Sequence, residues 1–225
     1  MAKIKIKGVI IPNDHKEIYE WYGMDATAPK DISDVLEGLI GEPIEVDINS
    51  GGGSVFAGSE IYTLLKAYVG KVTINIMGIA ASAASVIAAA GDLVNISPTA
   101  QIMIHNVQWS ASGDNREMLH AAEILENYNK SIANAYILKT GLSQGELLEL
   151  MNKETWLNAT QAKEKGFADE IMFDDDNKLV ASLSPTAILP NEVINKTRSL
   201  INASKHDDAS FDLKLKLINL KERKL

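Results

Sequence analysis

The chain has 225 residues, 46% of them hydrophobic and 23% charged, with a formal net charge of −8 and no cysteine, the composition of one soluble globular domain with room for a tail. At this length folding buries about 70–75% of the unfolded surface, so a core needs no disulfide or structural metal. Disulfide scaffolds, cysteine proteases, CxxC redox centres, iron–sulfur clusters and cysteine-rich zinc sites are excluded, and the acidic balance argues against a nucleic-acid surface, which needs clustered Lys and Arg.

The first residues, Met1-Ala2-Lys3-Ile4-Lys5-Ile6-Lys7, alternate charge with apolar side chains. They lack the apolar core of a secretory signal, so the expected location is the cytoplasm. Residues 3–11 read as a first strand, and 32–40 carry the 3.6-residue spacing of a helix with Asp31 or Ser33 as cap. Ile44-Glu45-Val46-Asp47-Ile48 is a second strand. It runs into a glycine turn at 49–54, and 55–68 reads as a helix with Ile61, Leu64, Leu65 and Tyr68 on one face.

The pattern repeats at once, with a strand at 72–77, a turn at 78–81 and a helix at 82–90 closed by Gly91. Residues 72–91 hold no charge, long enough to raise a membrane span. Thr73, Asn75, Ser82, Ser85 and the excess of Ala over Leu point instead to a buried strand and a buried helix. Successive strand–helix units predict a right-handed parallel α/β arrangement.

Short strands follow at 93–96 and 101–104, split by the Ser97-Pro98-Thr99 turn. After a loop at 110–113, residues 115–139 form a helix of about seven turns that ends at Gly141. Ser143 caps a helix through Met151, a further helix runs from Thr160 to Gly166, and 169–173 is a closing strand. Asp174-Asp175-Asp176 marks the edge of the compact domain, expected at 1–183. The segment 184–225 is a polar tail, its stretch 211–225 ambiguous between strand and helix because Leu213, Leu215 and Leu217 alternate.

Three places can carry chemistry. Ser82 stands at a strand-to-helix turn, where a hydroxyl is exposed and the following backbone N–H groups have no helical partner. Read alone, Ser82 and Ser85 are equally small residues packing in an Ala-rich helix. His105 ends the strand Gln101-Ile102-Met103-Ile104, which delivers an imidazole to the sheet end where open α/β folds place their sites. Asn49-Ser50-Gly51-Gly52-Gly53 permits close backbone approach, as a phosphate cradle or an oxyanion hole requires. It lacks the G-K-[ST] of a phosphate loop and the G-x-G-x-x-G dinucleotide spacing. No HExxH or close His/Asp pair suits a metal, and no cofactor is expected. Glu154 and Asp169 are the possible acids to complete a Ser-His pair.

Taken in order, Asn49-Ser50-Gly51-Gly52-Gly53, Gly78-Ile79-Ala80-Ala81-Ser82, Met103-Ile104-His105 and the run WLNATQAKEKGFAD at 156–169 resemble the successive motifs of the Clp protease proteolytic subunit family (ClpP). The likeness covers about residues 4–173. It implies a crotonase-like spiral of βα units with a protruding handle helix from Asn115, and the activity of a serine endopeptidase. Ser82 becomes the nucleophile, His105 the general base, and the N–H groups of Gly52 and Ala83 the oxyanion hole. Glu154 aligns with the family's catalytic Asp but is one methylene longer. Gly51 replaces the family's Pro after Ser50, removing a rigid element before the oxyanion loop.

Val55-Phe56-Ala57-Gly58 and 81–86 resemble the phage and prophage branch that processes head proteins. The expected partners are therefore capsid, portal or scaffold proteins, met in the host cytoplasm or inside proheads, together with further copies of the chain in a closed ring. A ring would also cover Leu119, Ile124, Leu125, Ile132 and Ile137 of the long helix. A Clp-type ATPase is not expected, because the first strand begins near Lys3 and leaves little to build the family's axial loops. Two other readings compete: an inactive scaffold that has kept the fold, favoured by Glu154 in place of Asp, and a crotonase-type acyl-CoA enzyme, which uses carboxylates instead of Ser and His.

Overall fold

The computed structural model describes residues 2–174, so the expected tail at 184–225 and its segment 211–225 lie outside the described residues. Strand β1 (Ala2–Ile10) leads through a 3₁₀ turn at Asn13–His15 and a short helix α1 (Lys16–Trp21) to β2 (Ala26–Thr27) and α2 (Pro29–Glu37). Two strand–helix units follow, β3 (Ile44–Gly53) with α3 (Val55–Ala67) and β4 (Val72–Ala81) with α4 (Ala83–Ala88). Next come β5 (Leu93–Ile96), β6 (Gln101–Ile104) and the long helix α5 (Asn115–Thr140). Helix α6 (Gln144–Asn152), strand β7 (Thr155–Asn158), helix α7 (Ala159–Glu164) and strand β8 (Glu170–Ile171) complete the described chain.

The strands form one sheet in the order β2-β1-β3-β4-β5-β8, with every neighbouring pair parallel. Strand β4 is its branch point. Thr73 to Ile76 pair with β5, whereas Ile79 to Ala81 pair with β6, which in turn pairs antiparallel with β7. Gly78 lies between the two halves, where a Cβ would come within 2.7 Å of the Asn49 side chain. The branch carries the chain ends after β4 and β6 to one place.

Alternation decides which face is buried. Ile4, Ile6, Ile44, Val46, Ile48, Ile74, Ile76, Val94 and Ile96 all lie at 3% exposure or less and share one core with Ile61, Leu65 and the Ala83, Ala84, Val86, Ile87 and Ala88 side chains of α4. Each large aliphatic side chain so buried contributes roughly 1.5–3 kcal/mol. The alternate positions are polar and form a ladder across the strands. Asn95 Nδ2 donates to Asn75 Oδ1 at 3.0 Å, Asn75 Nδ2 to Asp47 Oδ1 at 3.1 Å, and Lys3 Nζ lies 3.0 Å from Asp47. The Asp47 carboxylate beside Lys3 holds its ammonium above the usual lysine range. Among the described residues no helix is long and apolar enough to cross a membrane; the uncharged run 72–91 forms β4 and α4.

Several boundaries differ from the sequence expectation. Helix α2 starts at Pro29 and ends at Glu37, earlier than 32–40, because Asp31 serves inside the first turn. Its carboxylate accepts the Ala28 N–H at 2.9 Å and the Lys16 ammonium at 2.7 Å. The glycine run at 51–53 and residues 79–81, expected as turns, continue β3 and β4, since β1 and β6 supply partners for them. Helix α7 starts at Ala159 under an Asn158 cap rather than at Thr160, and the closing strand shrinks to Glu170–Ile171. Elements α1, β2 and β7 were not expected at all.

Helix α5 is well terminated, as its length requires. The Asp114 carboxylate accepts the N–H groups of Glu117 and Arg116, Glu117 returns a bond to the Asp114 N–H, and Gly141 closes the helix at φ 73°. Those donors, the Glu117 amide foremost, hold the Asp114 carboxyl below the usual range. The buried residues of α5 are Ala121, Ile132, Ala133, Ala135 and Tyr136, whereas Leu119 is exposed. The C-terminal half is therefore the part that anchors the helix to the domain.

Candidate active site

Ser82 sits between the last residue of β4 and the first of α4, with φ 53° and ψ −124°. Positive φ in a residue with a Cβ costs of order 1–3 kcal/mol and persists only where neighbours over-determine it. Here they do. The Ser82 N–H donates to Met103 O at 2.9 Å, and the Ser82 carbonyl accepts the Ser85 N–H at 2.9 Å and the Ser85 hydroxyl at 2.6 Å. On one side lies Gly52 at φ +96°, where an added Cβ would fall 2.7 Å from both Ala81 O and Ser82 Cβ. On another lies Gly58 of α3, where a Cβ would sit 2.9 Å from Ala83 Cβ. Small residues let three backbones converge on the Ser82 turn.

His105 follows directly on β6, and its Nε2 is 2.7 Å from Ser82 Oγ. With Oγ–H donating to an unprotonated Nε2, the imidazole is placed to take that proton as the hydroxyl attacks an electrophile. The segment beyond His105 is tied down by asparagines. Asn106 Nδ2 donates to Asn152 Oδ1 at 2.7 Å, and the Val107 N–H donates to Asn129 Oδ1 at 2.8 Å. The pair opens into a cleft of about 430 Å³ whose apolar wall includes Phe56, Val86, Val107, Ile132 and Tyr136. None of these residues was expected in a cleft: Phe56 and Val86 entered through the family resemblance, and Ile132, expected to need a ring to cover it, is already buried at 8% exposure within the chain's own fold. Ile132 and Tyr136 stand one helical turn apart on α5, a spacing that marks a shared face but not what the face covers.

Ala83 is the first residue of α4 and lines the cleft, so its N–H is one of the orphan donors of a helix start. Gly52 behaves otherwise. Its N–H donates to Ser50 Oγ at 3.1 Å, and Ser50 Oγ donates to Gly8 O at 2.6 Å. The Gly52 N–H, expected in the oxyanion hole, is thus engaged by a buried hydroxyl in this structure. Gly53 lines the cleft in its place. In the register Ile10↔Gly53 the Ser54 N–H donates to Ile10 O, so the ladder bond here belongs to Ser54 and leaves the Gly53 N–H turned to the other side.

The two possible acids separate. Asp169 accepts Val94 N–H at 2.6 Å and Lys139 Nζ at 2.6 Å, and its own N–H donates to Val94 O. It fastens the end of α5 to β5 and does not serve His105. Glu154 follows α6 at φ 48° and is the residue before β7. The pairing Ile104↔Thr155, carried one residue further, sets Glu154 opposite His105. Among the described residues its carboxylate meets the Trp156 indole N–H, at 3.3 Å, rather than the imidazole.

Gly52→Ala is expected to lower any Ser82-dependent reaction by at least about a hundredfold, because the new methyl must displace the Ser82 turn or strain its own backbone. Labelling of Ser82 with a serine-directed probe, at matched circular dichroism, measures the effect; unchanged labelling would show that the turn is free to move.

Comparison with known proteins places these elements in context. The Clp protease family profile matches residues 36–175, more than half of the chain. The chain is 36% identical over 138 residues to the ATP-dependent Clp protease proteolytic subunit 1 of Chlamydia abortus (59% of this chain and 71% of that protein). It is 34% identical over 142 residues to its counterpart in Chlamydia caviae (61% and 74%). It is also 31% identical over 129 residues to the ATP-dependent Clp protease proteolytic subunit of Chlorella vulgaris (56% and 64%).

Proposed function

Because the chain belongs to the Clp protease family, a family of peptidases, we propose that it is a serine endopeptidase with Ser82 as nucleophile and His105 as general base. The observation that carries this reading is the 2.7 Å contact of His105 Nε2 with a Ser82 held at positive φ over an open cleft. Ser82 Oγ attacks a peptide carbonyl while His105 takes its proton. The proton passes to the leaving amine, and a water activated by the same imidazole releases the acyl group. The Ala83 N–H and the N–H at the glycine run, assigned to Gly53 once Gly52 is committed to Ser50, face the developing oxyanion. Glu154 is the orienting acid, reaching His105 by a side-chain rotation away from Trp156.

A fluorophosphonate probe with the adduct mapped by mass spectrometry tests activity, mechanism and nucleophile together. An adduct on Ser82 is the expected result. No adduct would favour the inactive-scaffold reading, for which the turned-away Glu154 carboxylate is the supporting observation.

The finer reading is that the chain processes phage head proteins without an ATPase, in the host cytoplasm or within proheads. It draws on the resemblance of Val55-Phe56-Ala57-Gly58 and 81–86 to that branch, while the relatives named above are ATP-dependent subunits. Incubation with capsid, portal or scaffold protein, with and without a Clp ATPase and ATP, decides it: cleavage that needs the ATPase refutes independence. The same proposal takes residues 1–183 as the peptidase domain in a crotonase-like spiral and α5 as a handle in a closed ring. Half-exposed or exposed Met118, Leu119 and Leu138 on α5 supply apolar surface for such contacts. Sedimentation well above a 24.5 kDa subunit at micromolar concentration is expected, and a monomer alone would overturn the ring.

A further inference from the structure

We propose that Ser85 and Tyr136 are positioning residues for the reaction, a buried hydroxyl chain that grips the carbonyl of Ser82 and so fixes the turn that aims its Oγ at His105. The inference rests on the peptidase reading above and adds two residues to it. Ser85 is 2% exposed and Tyr136 is 1% exposed. Ser85 Oγ lies 2.6 Å from Ser82 O and 2.7 Å from the Tyr136 hydroxyl.

Counting protons orients the chain. A carbonyl only accepts, so the single Ser85 hydroxyl proton goes to Ser82 O, and the Tyr136 hydroxyl must then donate to Ser85 Oγ. The sequence of bonds runs Tyr136 O–H to Ser85 O–H to the Ser82 carbonyl, each polarised by the one before it. Burial pushes the Tyr136 hydroxyl far above its ordinary range, which keeps the donor protonated throughout the working pH.

The Ser82 carbonyl needs this help. In a helix start it would accept only from backbone N–H groups three and four residues on, and here those are Ser85 N–H at 2.9 Å and Val86 N–H at a long 3.4 Å. The Ser85 hydroxyl at 2.6 Å supplies a short third donor and restrains ψ of a residue whose backbone is strained. Tyr136 in turn is anchored in α5, its ring packed edge-on to Phe167 at 5.6 Å. Through Ser85, 51 residues from Tyr136 in sequence, these bonds reference the attacking hydroxyl to the long helix.

The test compares the full chain with Ser85→Ala, Tyr136→Phe and the double variant, reading fluorophosphonate labelling of Ser82, kcat and KM on a peptide, and Tm. Ser85→Ala removes the grip and orphans the Tyr136 hydroxyl, so it should lower labelling and kcat about tenfold or more, with KM within about twofold, and lower Tm. Tyr136→Phe leaves Ser85 bonded to Ser82 and should cost only about threefold. In the double variant the orphan is gone, so Tm should recover while labelling stays at the Ser85→Ala level. That split separates positioning from mere stability.

Labelling that recovers with Tm in the double variant, or Ser85→Ala at the wild-type rate, would overturn the proposal. The double variant also carries the test if Ser85→Ala alone does not fold. Absence of labelling in the wild type would instead refute the peptidase reading. Crystal structures of the wild type and the double variant then judge the chain by itself, a Ser82 turn and Oγ–Nε2 separation unchanged between them counting against it.

Discussion

Ser82→Ala is expected to abolish fluorophosphonate labelling and to reduce peptide hydrolysis by about 10⁶, the scale on which loss of an activated serine nucleophile is felt. Ser85→Ala should leave the adduct on Ser82, formed more slowly. The two serines are three residues apart in one Ala-rich segment, and their surroundings give them opposite jobs. Ser82 Oγ meets an imidazole nitrogen at 2.7 Å beside the cleft. Ser85 Oγ is buried and spends its proton on a backbone carbonyl, as hydroxyls one turn inside a helix do. The Ser82→Ala variant keeps the Cβ and the strained φ, so its Tm should match the wild type; a large fall in Tm would make the activity loss uninterpretable as chemistry. Labelling that survives Ser82→Ala sinks the assignment.

What was legible beforehand followed from local pattern. The alternation at 44–48 and 72–76 identifies β3 and β4, and Ser82 and His105 each end a strand, so their arrival at one end of a sheet could be read from chain order. The misread stretches depend on distant partners. Gly51 to Gly53 look like a turn until β1 is laid beside them, and Ile79 to Ala81 until β6 is. The bond from the Gly52 N–H to Ser50 Oγ is local, but the Gly8 carbonyl that holds that hydroxyl in place lies 42 residues from Ser50. The cleft wall depends on distant chain in the same way, since Ile132 and Tyr136 come to line the cleft beside Ser82 only after α5 folds back. Asp169 looked available because its bonds to Lys139 and Val94 join parts of the chain 30 and 75 residues away.

Glu154→Gln is the second large effect, expected at about 10² in kcat rather than the roughly 10⁴ that removal of a buried, preorganised orienting acid costs. Two observations set that figure. The strand register brings Glu154 opposite His105, and among the described residues Asp169, the other candidate acid, is tied to Lys139. Glu154 is nevertheless exposed, and its carboxylate accepts from Trp156 Nε1 at 3.3 Å, so orientation of the imidazole requires a rotamer change and acts through water-screened contact. Removing the competing donor should accordingly help: Trp156→Phe frees the carboxylate and is expected to raise kcat about two- to threefold, at the scale of one exposed hydrogen bond, and to do nothing in a Glu154→Gln background. Steady-state kinetics on one peptide substrate across the four proteins measures both effects and their coupling. A loss below about tenfold in Glu154→Gln would mean that Ser82 and His105 act as a dyad, and a Trp156→Phe effect that persists without the carboxylate would mean that the indole acts on substrate instead.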